Sequence, residues 1–346
     1  MDTMKAIVKN NAAPGVELIT VAKPKPKENE VLVKIKKTAI CGTDAHIYKW
    51  DDWAKKVIKP PMIIGHEFVG EVVEIGSSVN SVKVGSLVSA EGHIVCNSCR
   101  HCITGKRHLC RQTKGVGVNI DGVFAEYAAI KAENIWLCNP NISEEILAIQ
   151  DPLGNAIHTA LSFDVLGEDV LITGAGPIGL MAIPVLKMAG ARNIVITDVN
   201  PKRLAMAKSM GADKTVDVRS EKISNAMQQL NIIEGFDIGL EMSGNPSALS
   251  DMVNSMANGG KIAILGIFSS DITIDWNKVI FHSLTLKGIY GREIYDTWYK
   301  MSALLQSGLA EKIEKVITHI FDYPDYEHAF KLMLSGESSK IILNWE

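Results

Sequence analysis

The chain has no block of like charges. Its 36 Lys and Arg face 39 Asp and Glu, a formal net charge of −3. That balance argues against nucleic acid or an anionic membrane as the main partner. An uninterrupted apolar run of membrane length is missing too. The longest run, residues 170–186, is broken by Gly174, Gly176, Pro177, Gly179 and Pro184, and it reads as strand, turn and helix rather than a membrane span. The opening Met1-Asp2-Thr3-Met4-Lys5 lacks the apolar core of a signal peptide. Internal repeats and low-complexity segments are absent. The expected setting is a reducing cytoplasm, where closely spaced cysteines serve metals rather than disulfides.

What is present is an ordinary globular composition, 47% hydrophobic and 22% charged. At 346 residues, two domains are expected rather than one core. The six cysteines are the most informative feature. Cys96, Cys99, Cys102 and Cys110 are spaced two, two and seven residues apart, so one short loop can offer four thiolates to a tetrahedral zinc ion. Cys41 stands apart, upstream of Gly65-His66-Glu67. A closed site of four cysteines is usually structural, whereas mixed ligands with a free position usually mark a catalytic site.

Up to about residue 132 the chain reads as short strands punctuated by Gly and Pro, with β-rich runs at 5–9, 30–35 and 70–75. This is the pattern of a β-barrel-like domain. Near residue 150 the period changes. Apolar strands at 170–173, 194–197, 215–218, 237–240, 261–265 and 284–288 alternate with helical stretches, as in a parallel sheet covered on both faces. The pattern after about 293 is helical and ends in a strand at 340–344 that returns to the first domain. The expected domains are 1–152, 153–294 and a C-terminal return, 295–346.

Gly174-Ala175-Gly176-Pro177-Ile178-Gly179 follows a strand and opens a helix, the context that gives a G-x-G-x-x-G meaning. Gly174 allows the tight turn, Gly176 lets a pyrophosphate approach the backbone, and Gly179 lets the helix pack on the strand. The helix N-terminus offers free amides to phosphate. Asp198, 19 residues beyond Gly179, is placed to bond the ribose hydroxyls and to repel a 2′-phosphate, which favours NAD over NADP. Arg203 packs on the adenine, pairs with Asp198, or is a solvated helix charge. Pro184 falls inside the predicted helix and should remove a bond and kink it.

Cys41-Gly42-Thr43-Asp44-Ala45-His46 and Gly65-His66-Glu67 form the two halves of the open site. Cys41 and His66 suit zinc, Glu67 adds a hard oxygen, and Asp44 could hold the other His66 nitrogen. Thr43 can pass on a substrate proton, and His46 can release it to solvent. The plainer alternatives are a buried free Cys41, a core His66 and a turn at Thr43-Asp44. Asp151 would complete the metal sphere, carry protons just outside it, or be a loop aspartate. His93 is a candidate to face the substrate. His108, His158 and His282 have no partner visible in the sequence and read as structural.

On these residues the chain resembles the zinc-dependent medium-chain dehydrogenases, over essentially its whole length. The stretches at 41–54, 91–96, 151–161 and 288–298 resemble the threonine-oxidising branch most. The resemblance implies a GroES-like β-barrel catalytic domain, a Rossmann domain and a final segment that rejoins the first. It implies catalytic zinc on Cys41, His66 and Glu67, structural zinc on Cys96, Cys99, Cys102 and Cys110, and a relay through Thr43 and His46. It also implies NAD contacts from Ile178, Asp198, Arg203, Leu265, Gly266, Ile267, Ile289 and Tyr290. Many zinc relatives have Cys or Glu at Asp151, so the shorter aspartate fits the relay better than the metal. The implied assembly is a homotetramer, with residues 284–289 as the edge strand that pairs between subunits. The implied activity is NAD-dependent oxidation of L-threonine at the 3-hydroxyl to 2-amino-3-oxobutanoate. Its rivals are a polyol or secondary-alcohol dehydrogenase and a non-catalytic zinc- and NAD-binding protein.

Overall fold

Two units divide the chain in the computed structural model, which describes residues 2–346. The first comprises Met1–Pro152, Glu293–Gln306 and Ile317–Glu346; the second comprises Leu153–Arg292 and Ser307–Val316.

In the first unit the β-branched strand Glu30–Ala39 is the organising element. It pairs antiparallel with Glu67–Ile75, Tyr127–Lys131 and Lys340–Asn344. Register shifts at Leu32/Val33 and Ile35/Lys37 mark irregularities of the kind that bend a strand and let it serve several neighbours. Inside lies an apolar core that includes Ile7, Val33, Ile35, Phe68, Phe124 and Phe330. Ile342 stands opposite Ala39, and Ala39 opposite Glu67. Lys340 lies two residues before Ile342, so its side chain leaves the same face of the sheet. The strand Ile317–Asp322 has no counterpart in the sequence reading, which takes that region as helical. It runs parallel to Lys340–Asn344 at the sheet's edge and no residue in it is fully buried. A half-exposed edge strand carries no apolar signature to read.

The second unit is a six-stranded parallel sheet. Its order is Lys214–Asp217, Asn193–Asp198, Asp169–Thr173, Phe236–Glu241, Met256–Ile264 and Thr285–Gly288. This is the doubly wound order, with the strand sequence reversing between Asp169–Thr173 and Phe236–Glu241. Every residue of Asp169–Thr173 is buried, which explains its unbroken apolar run. The helix Pro177–Met188 continues through Pro184 as one element, with Gly179–Leu186 all buried. Packing of that apolar face outweighs one missing amide bond. Among the described residues, no helix is long and apolar enough to cross a membrane.

Candidate active site

Cys41 follows the strand Glu30–Ala39 and caps the helix Gly42–Lys49, while Glu67 begins the strand Glu67–Ile75. The ligand atoms of Cys41, His66 and Glu67 lie within 4.8 Å of one another. The backbone before His66 is held without slack. Gly65 has φ +88°, and a Cβ there would lie 2.0 Å from the Phe124 ring. A Cβ on Gly117 or on Gly122 would lie 2.3 Å from the Gly65 carbonyl oxygen.

Glu67, Asp44 and Lys340 are all buried. Lys340 Nζ donates to Glu67 Oε2 and, at 3.0 Å, to the Ile40 carbonyl. Glu67 Oε1 and His66 Nδ1 are buried with no hydrogen bond. Buried polar atoms left this way next to a thiol are what a borderline-soft cation satisfies. The electrostatics agree. Burial alone would lower the His66 imidazole, yet Cys41, Asp44 and Asp151 outweigh it and push His66 up to about 10. Burial would likewise discharge Lys340, but Glu67, Cys41 and Asp44 hold it above the ordinary lysine value. A pocket so anionic, with one sulfur, one nitrogen and one oxygen donor, fits Zn2+.

Asp44 differs from expectation. It makes no hydrogen bond to His66 Nδ1. Its Oδ2 accepts the Cys41 amide at 2.8 Å, and its carboxylate also takes a backbone bond from Gly65, so it ties the start of the helix to the segment that delivers His66 and adds charge to the site. Asp151 lies in the helix Gln150–Ala160 and outside the three-ligand cluster, though its charge acts on both His66 and Glu67. Thr43 Oγ1 is 3.8 Å from Cys41 Sγ. His46 lies one turn further along the helix Gly42–Lys49, with an exposed ring.

Cys96, Cys99, Cys102 and Cys110 converge around α-helical Arg100–Ile103, while the sixth cysteine, Cys138, lies outside the cluster beside Gln150. Their sulfurs are 3.5 Å apart for Cys99–Cys102 and for Cys96–Cys110, and 4.0 Å for Cys96–Cys102. A tetrahedron with zinc–sulfur arms of about 2.3 Å has edges of about 3.8 Å, whereas a disulfide needs about 2.05 Å. The amides of Cys96, Cys99 and Gln112 each donate to a sulfur at 3.4 Å. The Ser98 amide and hydroxyl, followed by the Cys99 amide, lower the Cys96 thiol to about 6. These donors favour the thiolates of Cys96 and Cys99, whereas burial, with Cys99 and Cys110 beside it, pushes the Cys102 thiol up to about 12. Four sulfurs at this spacing fit a closed zinc site, where a cation would offset that cost.

His93 begins the short strand His93–Ile94, paired with Lys114–Gly115. Its Nδ1 is 3.6 Å from Glu91 Oε1, and its amide donates to that same oxygen at 2.9 Å. The buried Trp298 indole donates to Glu91 Oε2 at 2.8 Å. Glu91 carries no mark of this role in the sequence, because its partner Trp298 lies 207 residues away.

In the second unit Gly174, Gly176, Asp198 and Arg203 line one cavity of about 320 Å³ with Thr173, Val199 and Ser243. The cavity opens at the reversal point of the strand order, where doubly wound sheets bind nucleotides. Gly174 has φ +95°, a Cβ on Gly179 would lie 2.1 Å from the Gly174 oxygen, and the Cβ position of Gly176 faces open space. That combination fits a pyrophosphate against the backbone and the start of the helix Pro177–Met188, where Ile178 lies. Asp198 Oδ2 accepts the Ala175 amide at 2.7 Å, and its Oδ1 accepts the Val199 and Asn200 amides. Leu265 and Gly266 donate their amides to the Glu241 carbonyl, Ile289 is buried, and Ile267 and Tyr290 are exposed. Glu241, a buried carboxylate at a strand end, was not foreseen. It accepts from Ser243 and Gly244, and a run of apolar residues hid it. His158, without a visible partner in the sequence, meets the Gly291 carbonyl at 2.8 Å.

Two family models match the chain. The alcohol dehydrogenase GroES-like domain covers residues 27–140, and the zinc-binding dehydrogenase covers residues 177–307. An L-threonine 3-dehydrogenase of Pseudoalteromonas translucida (strain TAC 125) is 56% identical over 99% of this chain and 100% of its own. One from Legionella pneumophila (strain Corby) is 57% identical, with the same coverage. Among solved structures, the short chain alcohol dehydrogenase rspB of Escherichia coli CFT073, complexed with NADH, superposes with a TM-score of 0.90 at 27% identity over 100% of both chains.

Proposed function

The chain belongs to the L-threonine 3-dehydrogenases, within the zinc-dependent medium-chain dehydrogenases, and from that premise we propose how it oxidises L-threonine at the 3-hydroxyl with NAD, giving 2-amino-3-oxobutanoate. The observation that carries this reading is the partly buried three-donor cluster of Cys41, His66 and Glu67 with Thr43 beside it, in a chain so similar to those enzymes along its whole length.

Zinc on Cys41, His66 and Glu67 supplies the Lewis acidity that makes a hydroxyl easier to deprotonate, and NAD supplies the acceptor for hydride. The rest falls to the chain's own residues. Thr43 Oγ1 accepts the hydroxyl proton and passes its own along. His46, one turn further on the same helix face, takes the proton and releases it to water through its exposed ring. Asp151 adds negative charge that favours the cationic metal set without joining it. In the second unit Asp198 takes the adenosine ribose hydroxyls, and Gly176 leaves room for the pyrophosphate. Arg203, Ile178, Leu265, Gly266, Ile267, Ile289 and Tyr290 complete the cofactor contacts. His93, braced by Glu91, faces the amino-acid end of the substrate.

Cys96, Cys99, Cys102 and Cys110 hold a second zinc whose role is structural, so each chain carries two. The protein works in the cytoplasm as a homotetramer. Support for self-association comes from the edge strand Thr285–Gly288 and the exposed Trp276, Ile280, Phe281 and Tyr290 around it.

The deciding experiment mixes purified zinc-loaded protein with NAD and either L-threonine, sorbitol or 2-butanol, and follows NADH absorbance. A site built to hydrogen-bond substrate groups rejects analogues lacking them by about 10⁴–10⁵-fold. L-Threonine should lead in kcat/KM by several orders of magnitude. Equal rates on sorbitol or 2-butanol would replace this reading with a general alcohol or polyol dehydrogenase.

A further inference from the structure

We propose that Asp51 is a positioning residue for the proton relay: it fixes which nitrogen of the His46 ring carries hydrogen, leaving Nε2 as the base. The inference rests on the relay role given to His46 above.

The local chain path creates this contact. The helix Gly42–Lys49 ends at Trp50, whose φ of +55° turns the chain sharply. Asp51 follows at once and caps the helix Asp52–Val57. Its two oxygens divide the work. Oδ1 accepts the Trp53 amide at 3.1 Å and the Ala54 amide at 3.0 Å. Oδ2 meets His46 Nδ1. One carboxylate thus ties the ring borne by the first helix to the start of the second. The Trp53 ring stands edge-on to His46, 5.9 Å between centroids at 61°, and limits rotation of the imidazole.

The protonation pattern follows from donor arithmetic. The Ala54 amide, with His46 and the Trp53 amide adding to it, outweighs the opposing effect of burial and holds the Asp51 carboxyl below its ordinary value. An ionised carboxylate can only accept. The hydrogen between Oδ2 and Nδ1 therefore belongs to the ring. In neutral His46 the lone pair is on Nε2, the nitrogen turned away from Asp51 and able to take a proton. With the hydrogen on Nε2 instead, the ring would present a donor where the relay needs an acceptor.

Three substitutions separate this role from capping. Asp51→Asn keeps a good helix cap, yet its amide offers N–H to Nδ1 and so drives the hydrogen to Nε2. Asp51→Ser keeps the cap but is too short to reach the ring, so both ring forms are populated. Asp51→Ala loses both roles. The readouts are the single-turnover rate of NADH formation at saturating L-threonine, KM, the NAD dissociation constant, Tm, and ¹⁵N NMR of the His46 ring. The expected result is that Asn and Ser variants keep wild-type Tm and NAD affinity. The single-turnover rate should fall at least about ten-fold for Asn, toward the 10²–10⁴ typical of acid–base groups, and less for Ser. KM should change little, and the NMR spectrum should move from Nδ1–H to Nε2–H in the Asn variant.

Wild-type turnover in both Asn and Ser variants, or an unchanged ring form in Asn, would overturn the inference and leave Asp51 a helix cap. His46→Gln is run beside them. If it too turns over at the wild-type rate, the relay reading itself falls and takes this inference with it. If it is slow while Asp51→Asn is not, only the role of Asp51 is lost.

Discussion

Lys340 and Glu67 form a buried ion pair between residues 273 positions apart in the chain. The pair exists because Glu30–Ala39 is flanked on one side by the strand of Glu67 and on the other by the strand of Lys340. Three anionic groups, Cys41, Asp44 and Glu67, act on the lysine. A divalent zinc would add its charge to that of Lys340, against these groups and the nearby Asp151. Lys340 is thus the protein's own share of the counter-charge.

Removing that charge should destabilise the metal-free protein most. Losing one partner of a buried pair costs about 3–5 kcal/mol, so Lys340→Met should lower Tm strongly. Zinc should narrow the gap to wild type, because Glu67 then has a cation again. Calorimetry with and without zinc measures both. A gap that zinc leaves untouched would speak against Glu67 as a metal ligand.

The four-cysteine site should be acid-sensitive in a defined direction. The thiol of Cys96 sits at about 6, below the ordinary thiol value of about 8.5. A depressed value means the folded state favours the anion, so the stabilisation is fully present above the ordinary value and is lost as pH falls through about 6. Zinc release to a chelator, followed with a colorimetric indicator, should be slow at pH 8 and accelerate in acid, at a pH below about 6 because the bound cation competes with protons for the thiolates. Cys99→Ser should release zinc from this site at every pH. Rates independent of pH across that span would remove the thiolate argument.

Asp198 accepts three backbone amides, those of Ala175, Val199 and Asn200, besides the ribose proposed for it, so its substitution should be read with care for all of them. Asp198→Asn keeps one acceptor oxygen, enough for either the Ala175 amide or the Val199 and Asn200 amides, and loses the other acceptor together with the charge. NAD binding should weaken by about 1–3 kcal/mol, and discrimination against NADP should shrink. Titration calorimetry with each cofactor reports the two constants. A variant that still prefers NAD as strongly as wild type would mean another residue reads the ribose.

The Trp298 indole is a donor to Glu91 in a fully buried setting. Trp298→Phe leaves Glu91 Oε2 without that bond at a cost of about 1–3 kcal/mol. Adding Glu91→Leu should cost less than the separate effects combined, since both halves of the bond are then gone. Additive losses in thermal unfolding would show that the bond contributes little.

Much of the site is legible in the sequence because its ligands come in short spans. Cys41 to His46 lie at the start of one helix, Gly65 to Glu67 at the start of one strand, and Cys96 to Cys110 in one short lobe. The glycine fingerprint is local for the same reason: a turn, a close approach and a helix start need specific residues in fixed order. Lys340, Glu91 and Glu241 carry no such mark. Each is a single charge in or beside an apolar run, and only sheet register or a distant indole reveals its partner. Asp51 was hidden differently. It lies within the stretch that suggested the family, but an aspartate before a helix already has a sufficient explanation as a cap. The strand Ile317–Asp322 escaped because an edge strand needs only one partly covered face. Residues 307–316 cluster with the second unit, and nothing in their composition announces it.

Gly65, crossed by Gly117 and Gly122 and pressed against Phe124, has a consequence for altering this protein. Three segments meet there with no room for a single added carbon. A designer who wishes to change the metal or reshape the pocket can exchange the side chains of Cys41, His66 or Glu67. The main chain that delivers His66 is not open to adjustment by substitution at those glycines, since a replacement at Gly65 would have to displace the Phe124 ring and one at Gly117 or Gly122 would have to push back the Gly65 peptide. Variation at this end of the pocket, in the laboratory or in nature, is therefore confined to what the side chains present.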